Sequence, residues 1–67
     1  MEKNLVEKWA LKHRFSDAGM IYTAVRNKGG NISYTTVYGW FTTGKVGHGA
    51  AVFSMIALFP DFKECVR

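Results

Sequence analysis

The chain has 67 residues, a net charge of +4 and 48% hydrophobic side chains, enough for one domain with one small core. A core of that size buries only about 60% of the unfolded surface and is marginal without a metal, a disulfide or a partner. Cys65 stands alone, which excludes an internal disulfide or a cysteine-based metal cluster and points to the cytoplasm. His13 and His48 are too few and too far apart for a metal site, so no cofactor is expected and oligomerisation is the remaining support.

Residues 1–12 alternate charged and apolar side chains without an apolar core, so no signal peptide is expected. A first helix is predicted from about Glu2 to His13, with Leu5, Val6, Trp9 and Ala10 inward and Lys3, Glu7, Lys8 and Lys12 outward. Phe15-Ser16-Asp17 restarts the chain. Ser16 or Asp17 caps a second helix at about 17–27, whose inward residues are Met20, Ile21, Ala24 and Val25. Lys28-Gly29-Gly30-Asn31 breaks it, since each glycine in a helix costs roughly 1 kcal/mol against alanine.

A third helix is predicted at about 33–43. Ser33 supplies a hydroxyl that accepts a free backbone N–H at the helix start. Val37, Trp40 and Phe41 fall at helical spacing as a narrow apolar stripe, and Gly44-Lys45 provides a left-handed stop with a positive charge beside the carbonyl end. The same stretch is rich in strand-favouring residues, and alternation would set Ile32, Tyr34, Thr36, Tyr38 and Trp40 on one face. Residues 46–48 are too short to pair with such a strand, so the helix is preferred. Residues 44–49 form a loop, a fourth helix runs over about 49–59 until Pro60 stops it, and a last turn folds Phe62 and Val66 back. The longest apolar stretch, 50–59, is far shorter than the roughly 20 residues that span a bilayer. The expected fold is all-α: a compact bundle of four to five short helices in a single domain over 1–67.

Ile32, Ser33, Thr36, Val37, Trp40, Gly44 and Lys45 together resemble the recognition helix of the lambda-type Cro/CI repressor family. That family is a helix-turn-helix class, so the second and third helices would form its DNA-binding pair. The family's turn carries a single glycine, whereas this chain has Gly29-Gly30 and so a longer turn. Charge placement agrees with the resemblance. Lys12, Arg14, Arg26, Lys28 and Lys45 against Asp17 put the whole excess of +4 around the motif, and the two ends cancel.

On this reading Tyr34, Thr35, Tyr38 and Thr42 contact base edges, since their hydroxyls donate or accept and threonine methyls pack on thymine methyls. Lys28, Asn31, Lys45, Arg26 and His48 contact phosphates, which positions a protein without reading sequence. Trp9, Ile21, Val37, Trp40, Phe41 and Ile56 are assigned to the core. The fourth helix is apolar nearly all round; Val52, Met55, Ile56 and Phe59 fill the core, leaving Phe53, Leu58 and Phe62 for a homodimer interface. No catalytic constellation occurs, so an enzyme is not expected. The expected function is a small phage-type, Cro-like repressor that occupies an operator on double-stranded DNA, with no small-molecule effector and no membrane partner. One alternative is the same fold used to bind protein, as an antirepressor does. Another is a cationic bacteriocin-like peptide, because Gly29-Gly30 resembles a double-glycine processing site. The fourth position before that cut, however, is Asn27 where such leaders carry an apolar residue.

Overall fold

Polar side chains set where the first three helices begin. In the computed structural model, which describes residues 3–66, Asn4 Oδ1 accepts the Glu7 N–H at 2.8 Å while Glu7 Oε1 accepts the Asn4 N–H at 2.8 Å. This reciprocal cap satisfies two backbone donors at once. Helix α1 therefore spans Leu5–Lys12, later than the expected start at Glu2, which lies outside the described residues. Asp17 Oδ1 accepts the Met20 N–H at 2.9 Å and opens α2, Ala18–Asn27. Ser33 Oγ accepts the Thr36 N–H at 3.2 Å and opens α3, Tyr34–Thr43. Helix α4, Ala50–Leu58, follows Gly49 without a side-chain cap, and a 3-10 helix, Pro60–Cys65, follows it. The described residues contain no strand, so residues 32–41 do not take the alternating form.

The connections on either side of α2 share one geometry. After α1, the Phe15 N–H returns to Ala10 O at 2.8 Å and the Arg14 N–H to Leu11 O at 3.1 Å. After α2, the Gly30 N–H returns to Val25 O and the Gly29 N–H to Arg26 O, each at 2.9 Å. Both are Schellman stops, which need one residue in the left-handed region. That residue is Arg14 (φ 62°) in the first and Gly29 (φ 85°) in the second. Gly30 answers a different need. A Cβ there would lie 2.5 Å from Leu58 Cδ1 and 2.6 Å from Val25 Cγ1, so α4 presses directly on this backbone.

Helix α2 packs along α3, while the C-terminal 3-10 helix packs on α1 and α4. At the centre, Phe62 lies edge-on to Trp9 with centroids 4.9 Å apart and tilted against Trp40 at 5.4 Å. Phe62 is completely buried, so its assignment to a surplus surface at the dimer interface is corrected: its side chain is the link between the two tryptophans. The cause is the three-residue repeat of the 3-10 helix, which turns Phe62 and Cys65 to the same, inner side. Met20 is also corrected. It is 42% exposed, and the buried stripe of α2 is Ala18, Ile21 and Val25. Phe41, Ile56 and Leu58 are half-buried and pack on the core edge.

The C-terminal turn is fastened to α1 by polar contacts. Lys12 Nζ donates to Glu64 Oε1 at 2.9 Å, and His13 Nε2 lies 2.7 Å from Asp61 Oδ2. The hydrogen bond to Glu64, and then the charge of that carboxylate, raise the Lys12 pKa. Burial pushes the Asp61 carboxyl up, but Trp9 and His13 together outweigh it and the net shift is down. Trp9 Nε1 is buried and, among the described residues, has no partner of full hydrogen-bond geometry, so its interaction with the Asp61 carboxyl is a loose one. The Cys65 thiol donates to Leu5 O at 3.6 Å, and burial pushes its pKa up to about 11, which leaves it protonated and unreactive at neutral pH. No helix among the described residues is long and apolar enough to cross a membrane.

Candidate nucleic-acid interface

Helix α3 is held from one side and open on the other. Val37 and Trp40 are buried. Gly44 closes the helix in the left-handed region at φ 73°, its N–H returning to Trp40 O at 2.8 Å. The opposite side presents Tyr34 (46% exposed), Thr35, Tyr38 (52% exposed) and Thr42 to solvent. All four expected base-contact residues thus lie on the exposed side. Ten residues of helix make this surface about 15 Å long, a scale that fits a major groove about 12 Å wide.

The hydroxyls differ in what they have left to offer. Thr42 Oγ1 donates to Tyr38 O at 2.9 Å and lies 3.3 Å from Gly39 O, so its hydrogen is used within α3 and its lone pairs face outward. Thr43 Oγ1 donates to Gly39 O at 2.7 Å and accepts the Lys45 N–H at 3.1 Å. Gly39 stands bare between them. A Cβ there would meet nothing within 4 Å, so no neighbouring helix among the described residues requires a glycine at this place.

The aromatic rings join α3 to α2. Tyr34 lies 5.9 Å from Tyr38 and edge-on to Tyr22 at 5.7 Å, and Tyr22 Oη accepts a hydrogen bond from Arg26 Nη1 at 3.0 Å. Tyr22 therefore belongs to the site although the motif does not include it. Its position four residues before Arg26, on the same side of a helix, was the available signal. A cleft of about 470 Å3 opens here, lined by Tyr22 and Arg26 of α2 and by residues 29–33 of the turn. Two of the expected phosphate-contact residues, Arg26 and Asn31, thus meet in one cleft.

The other three are scattered. Lys45 is exposed at the far end of α3, and His48 is exposed before α4. Lys28 lies with Nζ 5.0 Å from the centroid of the Phe59 ring, which ties it to the end of α4. Lys12 is paired with Glu64 and leaves the motif's charge to Arg14, Arg26, Lys28 and Lys45 against Asp17, an excess of +3. No Asp or Glu occurs between Asp17 and Asp61, so α3 and the turn before it contain no carboxylate to repel a polyanion.

No protein-family model, curated protein or solved structure matches the chain.

Proposed function

We propose that the chain is a sequence-specific, duplex-DNA-binding transcriptional regulator. It lays the outer side of α3 in the major groove and represses by occupying an operator, in the manner of the Cro/CI repressors it resembles. The observation that carries this reading is the uncharged, hydroxyl-bearing side of α3, in a stretch of chain without Asp or Glu and flanked by Arg26 and Asn31 at one end and Lys45 at the other. Tyr34, Thr35, Tyr38 and Thr42 read base edges. Arg26, Asn31 and Lys45 hold phosphates, which fixes register without specifying sequence. Two copies associate through α4, whose exposed residues Ala50, Phe53, Ser54 and Ala57 follow helical spacing and carry no charge. The protein acts in the cytoplasm, without catalysis and without a cofactor.

Titration against random-sequence duplex at two salt concentrations tests the reading. Each phosphate contact contributes about −0.9 to the slope of log K against log salt. The expected result is binding at low salt that weakens steeply as salt rises. Binding that is absent, or indifferent to salt, rejects it.

A further inference from the structure

Asn4 touches two helix ends at once. Its Oδ1 caps α1 by accepting the Glu7 N–H, and its Nδ2 donates to Phe41 O at 3.0 Å, across 37 positions of sequence. Phe41 O is one of the last four carbonyls of α3, which have no partner within their own helix. The N–H four residues on, that of Lys45, is turned to Thr43 Oγ1 instead. Asn4 fills that vacant place. Contact continues one step beyond, where a Cβ on Gly44 would lie 2.5 Å from Asn4 Cβ and 2.8 Å from its Cγ. The two tasks need one donor and one acceptor on a short planar group, which an amide has and a carboxylate lacks.

We infer that Asn4 is a positioning residue for α3, holding the last turn of the base-reading helix against the first turn of α1. The tether fixes the tilt of the end that carries Thr42 and Lys45. Its effect on binding rests on the DNA reading; the tether itself does not.

Asn4→Ser separates capping from tethering. Serine at position 4 keeps the capping box with Glu7 and the net charge, but it is too short and carries no amide to reach Phe41 O. Asn4→Ala removes both. Amide hydrogen exchange is read along α1 and at Gly44, and affinity is measured for random duplex and for a duplex selected by the unmodified protein. In Asn4→Ser, α1 is expected to keep its protection while the Gly44 N–H loses about fivefold, the scale of one neutral hydrogen bond. Affinity for the selected duplex falls by a similar factor and random-duplex binding is unchanged. Asn4→Ala loses protection in α1 as well. Unchanged protection at Gly44 in Asn4→Ser overturns the tether, as does an equal loss along α1 and α3. Reduced protection with unchanged affinity for the selected duplex overturns the positioning role. If the unmodified protein binds no duplex, the DNA reading falls and the exchange result alone decides the tether.

Discussion

Helices α3 and α4 both lie at the surface, and neither contains a charged residue. Their exposed sides are nevertheless of different kinds. Helix α3 shows Tyr34, Thr35, Tyr38 and Thr42, four groups that make hydrogen bonds, while α4 shows Ala50, Phe53, Ser54 and Ala57, with Phe53 70% exposed. The first surface stays solvated and gains from a partner that offers donors and acceptors. The second gains from a partner that removes a ring from water. Lack of charge is thus not one signal, and what the uncharged side chains can bond to sets the partner each surface suits.

The largest expected effect breaks the inner side of α3. Trp40→Ala removes a buried ring that lies against Phe62, costing about 3–5 kcal/mol. A domain of this size unfolds on such a loss. Tyr38→Ala, on the outer side of the same helix, leaves the urea midpoint nearly unchanged and weakens duplex binding. Urea titration beside a binding assay checks the pair, and the opposite pattern would reverse the sides of α3.

The next effect sharpens the account of α4. Phe53→Glu is expected to abolish self-association in sedimentation while monomer stability changes by about 0.5 kcal/mol or less, the usual range for a surface site. Leu58→Glu destabilises the monomer itself, because Leu58 packs on the backbone at Gly30. A monomeric unmodified protein at high micromolar concentration would remove the dimer and leave Phe53 without a partner of its own kind.

The smallest change returns to α3. Gly39→Ala puts a methyl into open space and is expected to raise stability by up to about 1 kcal/mol. If DNA approaches this helix closely, the same methyl lowers duplex affinity. A rise in melting temperature with undiminished binding would move the contact surface away from Gly39.

Legibility followed the same division. The cap at Ser33, the buried pair Val37 and Trp40 and the stop at Gly44 were readable because α3 alternates apolar and polar residues at helical spacing. Helix α4 has less contrast: the inward set Val52, Met55 and Phe59 is buried and Phe53 is exposed as expected, but Leu58, grouped with Phe53, packs on the turn before α3. Phe62 folds back as expected, but counting it with the interface was wrong, because its full burial depends on a 3-10 repeat after Pro60 rather than on α-helical spacing. The cap of α1 was in fact written in the chain as Asn4 followed three residues later by Glu7. The bond from Asn4 to Phe41 was not, since only tertiary packing brings those positions together. Gly29-Gly30, which resembles a processing signal on paper, has two separate structural reasons: a left-handed stop and the pressure of Leu58.

The fastening of the C-terminal turn also governs the order of assembly. Lys12–Glu64 and His13–Asp61 join positions 52 and 48 apart, whereas α2 and α3 are neighbours in sequence. Closing a long loop costs entropy before its contacts reward it, so near contacts form first. The pair α2–α3 is thus expected to assemble early, whereas the full cover of Trp9 needs Phe62. On the ribosome, synthesis runs from the N-terminus at about 5–20 residues per second. Trp9 is therefore made well before Phe59 and Phe62, the two rings that complete its cover beyond the local His13 and Phe15.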